Sequence, residues 1–187
     1  SVVERQTELP FQLDPHKRLM LVTAHRRENF GEPFKEICRA LLALAENNKD
    51  IQILYPVHPN PNVKAIAHEV LGKHPGIILC EPLDYLLFVE VMKRAYLIVS
   101  DSGGVQEEAP SLGKPVLVLR HETERPEAVE SGVVSLVGPD YEKIVTSVQH
   151  LLDSKEAYAK MACGVSPYGD GKAAGRIAQV LKDFFLL

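Results

Sequence analysis

The segment Ser100–Glu108 carries the clearest chemical pattern in the chain: Ser102, Gly103 and Gly104 follow an apolar run, and Glu108 lies four residues beyond Gly104. Adjacent glycines let the backbone approach a ligand closely, and free N–H groups at a helix start favour an anion. One helical turn further on, the carboxylate of Glu108 can face the same opening, where it suits paired ribose hydroxyls better than a phosphate. The pattern indicates a nucleotide site, with a capped turn and solvated glutamates as the alternative.

A second polar cluster, Thr23–Gly31, follows the first apolar run and contains His25, Arg26 and Glu28. This cluster is too polar for a simple connector between two elements. At the end of a strand, His25 could donate a hydrogen bond to a pyrophosphate or polarise a leaving group. The alternative is a structural histidine among solvated charges.

Three further residues stand out in or just after later elements. Pro56 and Pro59, on the two sides of His58, fix its turn and direct His58 toward the same edge of the predicted sheet as His25. By itself, however, this pattern favours a capping residue. Arg125 offers a rigid bidentate fork for a phosphate, with pairing to Glu124 or Glu127 as the alternative. Phe88 lies in a helical pattern and is by default a core residue.

The elements that must position these residues are short apolar runs that alternate with longer helical patterns. The predicted strands are Leu19–Thr23, Ile51–Tyr55, Ile77–Leu79, Leu97–Ser100, Val116–Leu119 and Val133–Leu136. The predicted helices are Phe34–Glu46, Val63–Leu71, Tyr85–Ala95, Val105–Leu112, Tyr141–Leu152 and Lys172–Leu187. Apolar strands separated by helices indicate an α/β fold, a doubly wound parallel sheet of Rossmann-like type. Ligands in such folds bind beyond the carboxyl ends of the strands, where the polar clusters lie.

The expected helix ends agree with this assignment. Asp84 and Ser102 can cap two helix starts, and Gly72 and Gly113 follow two helix ends. The final predicted helix has an unusually apolar end at residues 184–187.

Composition excludes several classes of function. The 187 residues suit a single domain, and the net charge of -4 gives no general attraction to nucleic acid or to an anionic membrane. No apolar run approaches the roughly 20 residues that span a bilayer. The polar start and three widely spaced cysteines suit a cytoplasmic protein with no metal site. The dinucleotide-binding and P-loop glycine motifs are not found.

Taken together, five segments resemble the bacterial non-hydrolysing UDP-N-acetylglucosamine 2-epimerases: Thr23–Asn29, Val57–Asn60, Ser100–Pro110, Gly113–Val116 and Thr123–Glu127. Their order and spacing agree from about Leu19 to the C-terminus. The resemblance implies that residues 1–187 form the UDP-binding C-terminal domain of a glycosyltransferase-B-like fold, without its N-terminal domain and without a cofactor. It also implies that the helix over 172–187 reaches toward that absent domain, and that the full-length enzyme is a cytoplasmic homodimer that serves cell-surface polysaccharide biosynthesis.

The resemblance also assigns roles to individual residues. In this family UDP is eliminated to give a 2-acetamidoglucal, and UDP then adds back to give UDP-N-acetylmannosamine; the carboxylates that handle the C2 proton belong to the N-terminal domain. His25 is the implied catalytic residue of this chain. The implied contacts to UDP are Phe88, Ser102, Gly103, Gly104, Glu108 and Arg125. The positions that would touch a second, activating UDP-N-acetylglucosamine are Arg26, Glu28 and His58.

Two rival functions fit the same pattern. A glycosyltransferase C-terminal domain of the same architecture would share a glutamate that binds ribose. A nucleotide-sugar binding module would have the site without the chemistry. The sequences His25–Asn29 and Asp101–Gly104 favour the epimerase over the glycosyltransferase. The binding module stays open for this chain, because the half that the resemblance places elsewhere would leave binding here without catalysis.

Overall fold

A six-stranded parallel sheet forms the centre of the computed structural model, which describes residues 9–164 and 166–185. The strands are β1 (Arg18–Thr23), β2 (Ile51–Pro56), β3 (Ile77–Cys80), β4 (Leu97–Ser100), β5 (Val116–Val118) and β6 (Val134–Leu136). Their order is β3-β2-β1-β4-β5-β6, and every neighbouring pair is parallel. The predicted doubly wound fold is confirmed. The chain leaves β1 toward β2 and β3 on one side, and leaves β4 toward β5 and β6 on the other. The carboxyl ends of β1 and β4 therefore form the crevice where a ligand is expected.

The helices cover both faces of this sheet. Within the described residues they are α1 (Glu32–Asn47), α2 (Pro61–Leu71), α3 (Tyr85–Arg94), α4 (Gly103–Glu108), α5 (Pro126–Glu130), α6 (Tyr141–Asp153), α7 (Lys155–Met161) and α8 (Ala173–Phe185). Two short 3₁₀ turns occupy Arg27–Asn29 and Pro110–Leu112. α5, α7 and the two 3₁₀ turns were not predicted from the sequence.

The helix predicted over Val105–Leu112 is wrong in its bounds. α4 begins at Gly103 and ends at Glu108, and a separate 3₁₀ turn follows, because Pro110 has no N–H to continue the helix. Ser102 precedes α4, but its side chain makes no capping hydrogen bond. By contrast, Asp84 caps α3 as expected by accepting from Leu87 N at 2.9 Å. Leu186 and Leu187 of the final predicted helix lie outside the described residues.

Strand side chains alternate between two apolar cores. Met20, Val22 and Ile53 face the core built with α1, α2 and α6, and Leu21 and Leu54 face the core built with α3, α4 and α5. On the first side, the hydroxyl of buried Tyr55 donates to Ala24 O at 2.6 Å, which ties the end of β1 to β2.

One face of α8 carries large apolar side chains that are exposed. Phe184 is 73% exposed, and Ile177, Val180, Leu181 and Phe185 are exposed as well. Their spacing of three and four residues places them along one stripe of the helix. No helix among the described residues combines the length and apolarity needed to cross a membrane.

Candidate functional site

A cavity of about 210 Å³ opens at the carboxyl ends of the strands, beside the point where β1 and β4 diverge. Thr23 and Ser100 are register partners at this point, and their hydroxyl oxygens lie 2.6 Å apart. Four predicted site residues line the cavity: His25, His58, Phe88 and Ser102. Phe88 also packs, partly buried, against the core, so this side chain belongs to the edge of the core and to the cavity wall.

The two predicted histidines meet in this cavity. The imidazole rings of His25 and His58 stack with centroids 5.5 Å apart and planes inclined by 10°. The turn after β2 also uses His58 locally, because its Nδ1 accepts from Asn60 N at 3.2 Å. His58 therefore makes the local hydrogen bond expected of a capping residue while its ring lines the cavity.

A buried carboxylate that sequence reasoning missed holds the loop after β1. Asp101 is 0% exposed, and its Oδ2 accepts from His25 N at 2.8 Å and Arg26 N at 2.7 Å. The Asn29 amide adds a third donor at 3.3 Å. Burial acts to raise the pKa of Asp101, but the donors from His25 and Arg26 outweigh it, so the pKa lies below its usual value. An acid one residue after the apolar run Leu97–Val99, separated from it by Ser100 alone, was the signal available in the sequence.

Two guanidinium groups flank the first residue of α4. A Cβ placed on Gly103 would lie 3.8 Å from Arg26 Nη2 and 3.8 Å from Arg125 Nη2. Arg26 Nε is buried and has no hydrogen-bond partner in the part of the chain that the structure describes. The predicted glycine pair therefore lies beside positive charge supplied by two separate loops, a setting that favours an anion.

The side chain of Arg125 pairs with Glu107, not with the two glutamates considered from sequence. Its Nε donates to Glu107 Oε1, and its Nη1 donates to the backbone oxygen of Glu124 at 3.1 Å. The alternative of side-chain pairing with Glu124 or Glu127 is therefore wrong. Glu107 orients Arg125 and, at the same time, competes with any anion for it.

A buried hydrogen-bond chain fixes the loop that carries Arg125. Gln106 is 0% exposed, its Nε2 donates to Ser102 O at 3.2 Å, and its Oε1 accepts from Thr123 Oγ1 at 2.6 Å. Thr123 Oγ1 in turn accepts from Arg125 N at 3.0 Å. The start of α4 and Arg125 are therefore held together by two side chains that sequence reasoning did not single out.

Glu108 lies outside the cavity that holds the histidines. Its Oε2 accepts from Tyr85 OH at 3.1 Å, and it lines a neighbouring groove of about 260 Å³ between α3 and α4. The two openings share no lining residue. A single ligand that contacts both His25 and Glu108 must therefore extend along α4 from one opening to the other.

Glu28 also lies apart from the histidines. It accepts from Arg120 Nε at 2.6 Å, and Arg120 is itself held by Glu124 through contacts of 2.6 and 3.1 Å. Glu28 and Arg120 line a separate cavity of about 280 Å³. Arg26 comes from the same loop as Glu28 but extends toward Gly103. The loop after β1 contributes to two cavities, because His25 lines the first and Glu28 lines the second.

Comparison with known proteins decides the family. A family model described as UDP-N-acetylglucosamine 2-epimerase matches residues 2–182. The chain belongs to this family. The UDP-N-acetylglucosamine 2-epimerase of Escherichia coli (strain K12) is 53% identical over 180 residues, which are 96% of this chain and 48% of the relative. The chain thus spans about half the length of the curated relatives that it matches.

Solved structures agree with the epimerase fold. The UDP-GlcNAc 2-epimerase of Neisseria meningitidis, solved bound to UDP-GlcNAc, superposes with a TM-score of 0.87 at 46% identity, over 91% of this chain and 46% of that chain. The glycotransferase of kitacinnamycin superposes with a TM-score of 0.68 at 15% identity, over 94% of this chain and 46% of that one. The second likeness concerns the fold alone, and it fits the predicted glycosyltransferase-B-like class.

Proposed function

We propose that this chain is the C-terminal, UDP-binding half of a UDP-N-acetylglucosamine 2-epimerase, which interconverts UDP-N-acetylglucosamine and UDP-N-acetylmannosamine. Membership of the epimerase family, and relatives at about half identity that are UDP-N-acetylglucosamine 2-epimerases, support the activity. The observation that carries the proposal is the placement of two guanidinium groups, from Arg26 and Arg125, beside Gly103, whose neighbour Ser102 lines the cavity with His25. A pyrophosphate is the part of a nucleotide-sugar that such a pair recognises best.

In the proposed reaction the C1–O bond to UDP breaks while the C2 proton leaves, which gives a 2-acetamidoglucal. UDP then adds back to C1 as C2 is protonated on its other face. In this chain, Arg26 and Arg125 hold the pyrophosphate and spread the negative charge that develops on its leaving oxygen. His25 contacts that oxygen from the cavity wall. The acid and base for the C2 proton are expected in the N-terminal half of the full-length enzyme.

The nucleoside would lie along α4, because His25 lines one opening and Glu108 lines the other. Phe88 would pack against the ligand from α3. Ser102 and the Gly103 backbone would lie near the pyrophosphate, and Glu108 would accept from the ribose hydroxyls in the neighbouring groove. This arrangement accounts for the separation of Glu108 from His25 without assigning them to different ligands.

We assign Arg26, Glu28 and His58 to a second, activating UDP-N-acetylglucosamine, as the family resemblance implies. His58 stacks on His25, and Arg26 reaches the pyrophosphate position, so an occupant at this place would contact His58, Arg26 and the catalytic histidine. The same occupant would have to extend into the cavity beside Arg120 to reach Glu28. Steady-state kinetics of the complete enzyme test the assignment. His58→Ala should change the shape of the saturation curve more than the maximal rate, and loss of all activity with an unchanged curve would contradict it.

The N-terminal half of the full-length enzyme is the proposed partner of α8. The exposed apolar stripe that includes Phe184 needs a cover, and a domain on the other side of the UDP-sugar cleft would provide one. A homodimer and a cytoplasmic setting belong to the same proposal for the full-length enzyme.

Calorimetry with UDP on this chain tests the nucleotide site. The open site should bind UDP with a dissociation constant in roughly the micromolar to millimolar range, because one side lacks its enclosing domain. Arg125→Gln should weaken UDP but leave uridine unchanged, and Lys64→Gln, which alters an exposed ion pair on α2, should change neither. No heat with UDP at millimolar concentration would refute the proposal.

The nearest competing function, a glycosyltransferase domain, also predicts UDP binding. The product distinguishes this function from epimerisation: transfer of the sugar to an acceptor leaves free UDP, whereas epimerisation gives an intact UDP-sugar. A binding module without chemistry would give neither product when the missing half is supplied.

A further inference from the structure

Asp101 and the two stacked histidines form a unit whose hydrogens can be placed from its contacts. The side chain of His25 is 37% exposed on the cavity side, whereas Asp101 is fully buried behind it. His25 Nδ1 lies 3.1 Å from Asp101 Oδ1. The two atoms are therefore within ion-pair distance and are neighbours across the wall of the cavity.

We propose that Asp101 is a positioning residue that fixes His25 in the Nδ1–H tautomer, so that Nε2 faces the cavity with a free lone pair. The inference rests on the proposed function for its consequence in catalysis, but its geometry does not depend on any ligand. It assigns a role to a carboxylate that touches no predicted substrate atom and acts through His25 instead.

The hydrogen-bond inventory of Asp101 carries the argument. Its Oδ2 already accepts from three donors, of which two are the backbone N–H groups of His25 and Arg26. Its Oδ1 is buried, and no hydrogen bond reaches it in residues 9–164 and 166–185. Buried carboxylate oxygens are satisfied in nearly all folded proteins, and an ionised carboxylate can only accept. The proton that satisfies Oδ1 must therefore sit on the neighbouring His25 Nδ1.

His58 is fixed in the opposite way. Because its Nδ1 accepts from Asn60 N at 3.2 Å, a neutral His58 carries its proton on Nε2. The two stacked rings, 5.5 Å apart, therefore differ in character: His25 offers an acceptor and His58 offers a donor. Neutral His25 could not donate to a pyrophosphate; it donates only as an imidazolium, whose charge the buried Asp101 carboxylate faces.

The substitution Asp101→Asn gives a sharp test, because the site of Oδ2 must stay an acceptor for two backbone N–H groups. The new amide must then place its NH₂ group toward His25. A ring nitrogen that faces an NH₂ donor has to accept, so the His25 proton should move from Nδ1 to Nε2. The same change of tautomer is the known consequence of an aspartate-to-asparagine replacement behind a catalytic histidine in hydrolases.

The experiment is nitrogen NMR on the labelled chain without any ligand, at about pH 8.5, where an ordinary imidazole is neutral. The shifts of Nδ1 and Nε2 report which nitrogen is protonated, and His25→Gln and His58→Gln assign the two rings. We expect Nδ1–H for His25 and Nε2–H for His58, with His25 switching to Nε2–H in Asp101→Asn. Asp140→Asn, a matched change at the exposed cap of α6, should leave both rings unchanged.

Two results would overturn the inference: Nε2–H at His25 in the unaltered chain, or Nδ1–H at His25 retained in a folded Asp101→Asn variant. If that variant does not fold, the tautomers of the unaltered chain still decide the matter. Failure here is distinct from failure of the proposed function, because UDP calorimetry can succeed with either tautomer, and the tautomers can be as stated in a chain that does not bind UDP.

Discussion

Gly103→Ala should separate ligand binding from folding, because the structure leaves room for a methyl group that the ligand would also need. The new Cβ would lie 3.8 Å from each of Arg26 Nη2 and Arg125 Nη2, an ordinary contact distance. The backbone of Gly103 needs no left-handed conformation. Alanine also favours a helix over glycine, so the free energy of unfolding should not fall.

The effect on UDP should be large. A phosphate oxygen that bonds both guanidiniums sits about 2.8 Å from each nitrogen, so the methyl group would occupy its approach. Loss of one charge-assisted hydrogen bond costs roughly 1.5–3 kcal/mol, or about 10- to 150-fold in affinity. Calorimetry with UDP gives the affinity, and thermal unfolding gives the stability. Gly175→Ala, in α8 with nothing within 4 Å of the new methyl group, is the matched control.

Unchanged UDP affinity in a folded Gly103→Ala variant would refute the placement of the pyrophosphate between the two arginines. An equal loss in Gly175→Ala would refute it as well, since the effect would then not depend on position. A large fall in stability would contradict the stated space around Gly103.

Three further predictions follow from the same contacts. Glu108→Ala should weaken UDP by roughly 1.5–3 kcal/mol, whereas Glu107→Gln, which releases Arg125, should not weaken it; calorimetry showing equal losses would contradict the ribose assignment. Because the folded-state pKa of Asp101 lies below its usual 3.8, this carboxylate stabilises the fold above that pH and loses its contribution as the pH falls through the lowered value. In urea unfolding from pH 5 to pH 2, the free energy of unfolding should therefore fall less steeply for Asp101→Asn than for the unaltered chain. Parallel curves of free energy against pH for the two proteins would contradict the prediction. The isolated chain should self-associate through α8 as its concentration rises; Phe184→Asp should reduce this in sedimentation experiments, and no change would exclude α8 as the contact.

The sheet could be predicted from sequence because its strands are buried on both faces and read as almost unbroken apolar runs. Leu97–Ser100 was predicted with the bounds that the structure gives, and each of the other strands differs by one residue at one end. Short helices were harder to predict from the sequence. α5 and α7 have five and seven residues, too few for an apolar stripe to repeat, although Pro126 at the first position of α5 was an available signal.

The grouping of site residues was predictable to the extent that it depends on strand ends. Parallel strands bring their carboxyl ends to one edge, so His25, His58 and Ser102 meet as the topology requires. The direction of a side chain on a short helix was not predictable. Glu108 follows Gly104 by one turn, but α4 directs it toward Tyr85 and a separate groove.

Contacts between distant segments were beyond sequence reasoning. Asp101 binds the His25 backbone across 76 positions, and Arg120 binds Glu28 across 92. Even Arg125 and Glu107, 18 positions apart, pair through a loop geometry that local spacing does not specify. Each of these pairs depends on how β1, β4 and β5 lie side by side, so the sheet order had to be known first.

Epimerisation by a completed enzyme tests the central claim most directly. This chain would be fused to the half of the Escherichia coli relative that it does not match, and UDP-N-acetylglucosamine would be followed by NMR. UDP-N-acetylmannosamine should form with the fusion, should not form with this chain alone, and should not form when the fusion carries His25→Ala. A folded fusion that binds UDP without forming UDP-N-acetylmannosamine, or formation of that product by this chain alone, would contradict the account.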